Sequence, residues 1–336
     1  MRRAITLGAV WIALLALAGC GNGGQAQDTL TLYSGRSSEL VSPLIELFEQ
    51  ETGIEVETKF ADTAATVATV LEEGDRSPAD VVWAQDAGAL GALAAEERFA
   101  ELPDDLLEQV PARFRSPEGL WVGTSGRARV LVYNKENVPT DELPASIFDL
   151  TDEKWKGRVG WAPTNGSFQA FVTALRVLRG DDEARGWLEA MLANDVRDYE
   201  SNAPIVQAVA AGEIDAGLVN HYYLLELGEQ DEGIKDRAAN HFFERGDPGN
   251  LINVAGVGIL DTAPHVGAAR RFVEFLLSRT GEQYFDEETI EYPLREGTEP
   301  NPELPALDEI GSPDIDLSDL SDLQGTLDLL RSAEVL

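Results

Sequence analysis

The sequence predicts an α/β protein built as two lobes, each a mixed, mostly parallel sheet flanked by helices. Three observations lead there. Strand-like and helix-like patterns alternate from residue 30 onward, the mark of repeated strand–helix units. The alternation is interrupted after an apolar segment near residue 133 and begins again near residue 159. A chain of 336 residues is also too long for one comfortable core, while its 43% hydrophobic content is that of an ordinary folded protein.

Leu30-Thr31-Leu32-Tyr33 opens the body as a short strand closed by Ser34-Gly35. Leu40, Leu44, Ile45 and Phe48 follow at helical spacing, with Gly53 as the stop. Ile54, Val56, Thr58 and Phe60 alternate as a strand does, and Val67, Val70 and Leu71 mark a helix closed by Gly74. Asp80-Val81-Val82-Trp83 reads as a buried strand and precedes an alanine-rich helix through Leu90 and Leu93. Leu120-Trp121-Val122 and Val130-Leu131-Val132-Tyr133 are expected as two separate strands, the second crossing between lobes.

In the second run Val159-Gly160-Trp161 is a strand, Phe168 to Leu178 an amphipathic helix, and Trp187, Leu188, Met191 and Leu192 mark another. Ile205, Val206 and Val209 line a helix ending at Gly212, before a strand over Ile214 to Val219. Val254 to Leu260 returns to strand character and leads into a helix carrying Phe272, Val273, Phe275 and Leu276. The chain thus passes between lobes at least twice. The expected division is 29–127 with 251–302 in an N-terminal lobe, and 128–250 with 303–336 in a C-terminal lobe. Asp314 to Asp319 superficially matches a calcium loop but lacks the glycine at its sixth position, so an amphipathic, solvated helix is expected there.

The N-terminus carries export signals. Arg2 and Arg3 precede an apolar stretch from Ala4 to Leu17, too short to span a bilayer comfortably. Leu17-Ala18-Gly19-Cys20 then resembles a bacterial lipobox, and Cys20 is the only cysteine. Residues 1–19 are expected as a signal peptide, Cys20 as the lipidated residue, and 20–28 as a flexible tether. An ordinary signal peptide with a chance cysteine is the alternative. One cysteine excludes a disulfide framework and a thiolate metal cluster. Sixty acidic residues against 26 basic ones give a net charge of −34, which argues against nucleic acid as a partner.

Enzyme signatures are missing. Gly123-Thr124-Ser125-Gly126 lacks the flanks of a nucleophile elbow, and Gly256-Val257-Gly258 lacks the third glycine of a dinucleotide loop. His221, His241 and His265 have no zinc-ligand spacing. The informative stretch is Asn220-His221-Tyr222-Tyr223, placed directly after a strand, where α/β sheets present ligands. A hard trivalent cation displaces phenol protons and binds the oxygens. Adjacent side chains on a straight strand point to opposite faces, so both tyrosines reach one ion only if the backbone turns after Asn220. Core or interface packing is the ordinary use of such a pair. Asn165-Gly166-Ser167 opens a helix whose free N–H groups suit an anion.

Many blocks in order resemble one family: Leu32 to Arg36, Thr52-Gly53-Ile54, Ser77 to Val81, Ser125 to Arg129, Trp155 to Arg158, Ala162 to Phe168, Asn220 to Tyr223, Asp247-Pro248-Gly249 and Glu291-Tyr292-Pro293. Over nearly the whole mature body the chain is similar to the bacterial periplasmic ferric-iron-binding proteins, the transferrin-like branch of the two-lobed solute-binding superfamily. The resemblance implies a type II periplasmic-binding-protein-like fold with the ligand cleft between lobes. It implies Fe(III) as transported ligand, Tyr222 and Tyr223 as its phenolates, and a synergistic anion (carbonate, phosphate or citrate) at Asn165, Gly166, Ser167, Asn202 and Asn220. Arg127 and Arg129 match a basic pair near the hinge that compensates anionic charge; an internal salt bridge is the alternative for each. The partners implied are an ABC permease and its ATPase subunit, with a monomeric, lipid-anchored, extracytoplasmic protein delivering iron without catalysis.

Three positions depart from the pattern. Ser37 and Ser38 stand where some members have a histidine ligand, Gln85 and Asp86 where those members have a glutamate, and Phe168 where others add a tyrosine. That leaves two phenolates plus anion or water, with Asp86 or Gln85 as candidate further ligands. A binding protein for an organic anion such as a phosphonate, without metal, and a hydrolase working in the cleft are the rival readings.

Overall fold

This computed structural model describes residues 29–336; the expected leader, Cys20 and tether lie outside the described residues. The first run is β1 (Thr29–Ser34), α1 (Ser38–Thr52), β2 (Glu55–Phe60), α2 (Thr63–Glu73), β3 (Val81–Ala84) and α3 (Ala87–Ala95). Each helix face follows from the apolar spacing: Val41, Leu44, Ile45 and Phe48 of α1 are all buried. The helix stops where Gly53 takes a left-handed φ of 73° and its N–H closes on the Glu49 carbonyl, a conformation that costs other residues strain.

A short α4 (Asp104–Leu107) precedes β4 (Val122–Asn134). The second run is β5 (Val159–Trp161), α5 (Gly166–Arg179), α6 (Asp181–Ala193), β6 (Arg197–Asp198), α7 (Asn202–Ala211), β7 (Ala216–Asn220), α8 (Tyr222–Gln230), α9 (Glu232–Arg237) and β8 (Ala238–His241). The chain returns through β9 (Ile252–Ile259), α10 (Val266–Leu276), α11 (Arg279–Glu288) and β10 (Tyr292–Pro293), and finishes with a 3-10 turn, Leu317–Ser321, and α12 (Leu323–Ser332).

The strands run in the order β2-β1-β3-β9-β4-β7-β5-β6, with β8 and β10 also paired to β4. The pairs β1–β2, β1–β3, β5–β6 and β5–β7 are parallel, as strand–helix units require. The two-lobed α/β architecture expected from the sequence is the one observed.

Two expectations need correction. The segments at 120–122 and 130–133 are not separate strands: β4 is a single strand of 13 residues, all buried. Its polar middle reads as a loop, but each polar side chain there finds at least one partner in the interior. Thr124 accepts from the Trp83 indole N–H at 3.1 Å, and Ser125 donates to Glu291 at 2.6 Å. Up to Ala128 the strand pairs with β9, and from Arg129 it pairs with β7, so the crossing between halves falls between these two residues. The acidic tail is likewise not a helix from Asp314. Asp316 caps only a 3-10 turn, whose Leu317 and Leu320 are buried.

Candidate functional site

A cavity of about 300 Å³ opens where β4 and β9 cross. Thr63, Gln85, Asp86, Arg127, Arg129, Asn165, Gly166, Ser167, Asn220, Tyr222, Tyr223, Leu251 and Asn253 line it. The carboxyl end of β3 delivers Gln85 and Asp86, that of β7 delivers Asn220 and the tyrosines, and the start of α5 delivers the Asn165 loop.

The chain does turn after Asn220. His221 already has helical φ and ψ of −58° and −38°, so Tyr222 and Tyr223 are the first residues of α8. Their rings lie side by side, with centroids 4.5 Å apart and planes inclined by 31°. His221 itself is fully buried. Its Nδ1 accepts from the Ala128 N–H at 3.2 Å and its Nε2 pairs with the Ile290 carbonyl at 2.9 Å, pinning the turn to β4. Burial holds its pKa down at about 4. Burial also raises the Tyr222 phenol, the neighbouring Tyr223 adds to this, and Arg127 and Asn220 pull the other way.

Arg129 is buried, and among the described residues it has no carboxylate partner. Its Nη1 donates to Ser167 Oγ at 3.1 Å, Asn220 Oδ1 at 3.2 Å and Asn202 Oδ1 at 3.4 Å, all neutral oxygens, and its Nη2 has no protein acceptor. Burial lowers its pKa to about 10, and the two tyrosines oppose that fall. Arg127 behaves differently. It donates to the Gln85 carbonyl and lies 3.9 Å from Glu291, which also binds Arg36 at 2.8 Å. Burial alone would raise Glu291, but Arg36 and Arg127 hold it below the usual carboxylate range. The internal salt bridge therefore describes Arg127, and not Arg129.

Asp86 caps α3, accepting from the Ala89 N–H at 3.0 Å; desolvation raises its pKa against the pull of Ala89, Arg127 and Gly88. Gln85 presents a buried Oε1 that meets no donor among the described residues. Asn165 Oδ1 accepts from both the backbone N–H and hydroxyl of Ser167, at 3.0 and 2.6 Å, and so shapes the start of α5. Asn202 does not line the cavity. It stands behind Arg129, holding that guanidinium and the Asn220 N–H. Phe168 is packed into the core against Trp161 and Phe171, and Ser37 and Ser38 lie outside the cavity at the start of α1.

Sequence reasoning missed Thr63, Leu251 and Asn253. Only Asn253 carried a signal, as the one polar side chain in the buried strand β9; its Oδ1 accepts from the Ala87 N–H at 3.2 Å. Among the described residues no group of three or more His, Cys, Asp and Glu side chains is placed to hold a metal ion, so oxygen ligands here would have to include the phenols. No helix among them is long and apolar enough to cross a membrane.

A polar cavity at the crossing of two α/β halves places the protein among solute-binding proteins. The chain belongs to the family of bacterial extracellular solute-binding proteins, whose model matches residues 76–316. It is 30% identical over 330 residues to the Fe(3+)-binding periplasmic protein of Serratia marcescens, covering 97% of each chain. Iron-bound HitA from Pseudomonas aeruginosa superposes with a TM-score of 0.82 at 33% identity, covering 91% of this chain and 99% of HitA. Trichodesmium IdiA (FutA), in complex with iron and citrate, superposes at 0.80 with 29% identity, covering 92% and 100%.

Proposed function

We propose that this protein is the extracytoplasmic binding component of an ABC importer that captures ferric iron between its lobes and delivers it to a membrane permease. The observation that carries the reading is the side-by-side pair Tyr222 and Tyr223 facing one cavity with Arg129, a buried cation that has no carboxylate. Names and ligands of the relatives point the same way.

Iron binds by displacing the phenol protons of both tyrosines. Two phenolates leave one positive charge on the ion, and Arg129 adds another, so a dianion balances the site. Carbonate, hydrogen phosphate and singly protonated citrate all qualify. The anion engages Arg129 Nη2 and the N–H groups of Gly166 and Ser167 at the start of α5. Gln85 Oε1 supplies a neutral oxygen, with the Asp86 carboxylate as the alternative. The lobe of 29–127 with 251–302 closes against the lobe of 128–250 with 303–336, excluding water and strengthening these charge interactions. Cys20, acylated after removal of 1–19, holds the monomer at the membrane through the tether.

One observation favours a second reading, capture of an organic anion without metal: Arg129 offers an anion site that exists before any ion arrives. A ferric titration with citrate or carbonate separates the two. Phenolate-bound iron colours the protein by charge transfer, and Tyr222→Phe with Tyr223→Phe abolishes the colour. Equal iron binding by the double variant would refute the site; no iron binding by either protein would transfer the case to phosphonates and related anions.

A further inference from the structure

We propose that residues 317–326 form a positioning strap that sets the separation of the two cleft walls before any ligand binds. Its consequence for capture rests on the ligand site proposed above; the strap itself does not. The walls are the beginnings of two helices: Gln85 and Asp86 at α3, and Asn165, Gly166 and Ser167 at α5. One short stretch of chain is seated on both helices.

On α3 the seat is backbone against backbone. A methyl group added at Gly88 would lie 2.3 Å from the Leu320 carbonyl oxygen, and one at Gly91 would lie 2.4 Å from that of Ser318. Neither position tolerates a side chain while the strap stays in place. On α5 the seat is polar. Thr326 Oγ1 meets Thr173 Oγ1 at 2.7 Å, and Arg176 donates to Thr326 Oγ1 at 3.0 Å, the Asp322 carbonyl at 3.1 Å and Asp322 Oδ2 at 2.9 Å. Asp322 in turn caps α12 through the Gly325 N–H.

The link between the seats is short. Leu320 rests on α3 and Asp322 on α5, and two residues of extended chain span at most about 7 Å. Gly88 lies in the first turn of α3, so movement of the Gln85–Asp86 wall is transmitted directly to the strap. The strands β4 and β9 join the halves by backbone that can bend, whereas the strap adds a short connection on the helical side. Wide opening must therefore unseat it. The unliganded protein therefore stays near the separation seen here, and closure on the ligand is a movement of less than about 3 Å, under one residue of chain, which lowers the ordering cost of binding.

Spin labels at Glu57→Cys, on the outermost strand of one half, and Glu200→Cys, just beyond the outermost strand of the other, test this in the full chain with Cys20→Ser. Pulsed EPR of the parent without ligand should give one narrow distance that ferric citrate moves by less than about 3 Å, under one residue of chain. Gly88→Ala with Gly91→Ala should move the unliganded distance outward by about 7 Å, the span of the two-residue link, or broaden it at least about twofold. Arg176→Gln with Thr326→Val releases the other seat without inserting bulk, and should loosen the protein in the same sense even if the glycine variant fails to fold. A parent that opens as widely as the variants, or an α5-side variant with the parental distance, overturns the strap. Because the deciding distances are measured without ligand, failure of every form to bind iron would count against the iron reading alone.

Discussion

Replacing either tyrosine by phenylalanine should change how many protons leave when iron binds, and that number can be measured without an absolute affinity. A tyrosine phenol ordinarily titrates near pH 10, and burial lifts Tyr222 further, so it carries its proton at physiological pH. Capture through both oxygens releases two protons per ion, and log K then rises by two for each pH unit. From pH 5.5 to 7.5 the parent should gain about four decades, roughly 5.4 kcal/mol at 1.36 kcal/mol per decade. Tyr222→Phe and Tyr223→Phe should each gain only about two decades. Ferric hydrolysis and protonation of the added anion enter parent and variants equally and cancel in the difference. The assay is competition against a chelator at three pH values with the anion held constant, with released protons counted in parallel by pH-stat. Slopes that agree between parent and both variants would show that these phenols do not reach the ion.

Arg129→Gln should weaken anion-dependent iron binding about 10- to 100-fold, the worth of one hydrogen bond to a charged group, without lowering folding stability, because the arginine is buried without a counter-ion. A lower Tm with unchanged iron binding would instead make Arg129 a structural residue. Burial holds the His221 pKa at about 4, below its ordinary 6.5, so the unfolded chain takes up its proton first as pH falls. Its contribution, about 3 kcal/mol, is complete above pH about 6.5 and is lost progressively towards pH about 4. Urea unfolding at pH 7 and 4.5 should show the parent losing more stability than His221→Gln by about that amount, and equal losses would refute the assignment.

The elements that were legible in the sequence obey short-range rules. The helix α1 announces itself through four apolar residues at helical spacing and a glycine stop; Leu44, Ile45 and Phe48 are buried as expected, while Val41 takes the place of the half-buried Leu40. Tyr222 and Tyr223 stood out because a strand, an asparagine and two phenols in succession form a local pattern. Their convergence did not. It depends on the helical turn at His221, and that turn is held by Ala128 and Ile290, residues 93 and 69 positions away.

Local patterning failed where partners come from far along the chain. The middle of β4 looks like a loop because Thr124, Ser125, Arg127 and Arg129 are polar, yet Trp83, Glu291 and Gln85 pair with the first three in the interior and Asn202 holds one nitrogen of the fourth. The basic pair shows the same limit: one arginine is neutralised by Glu291 and the other is left facing the cavity, a difference that their nearly adjacent positions conceal. Gly88 and Gly91 look like ordinary small residues in an alanine-rich helix until Leu320 and Ser318 are seen against them. Composition and periodicity were enough for the alternating strands and helices, the two halves and the paired phenols, because those arise from neighbours within a few residues. Which side chains share the cavity, which charge stays unpaired and what ties its walls together were settled by contacts between distant segments, since the free energy of burial and ion pairing depends on spatial neighbours that the linear order leaves open.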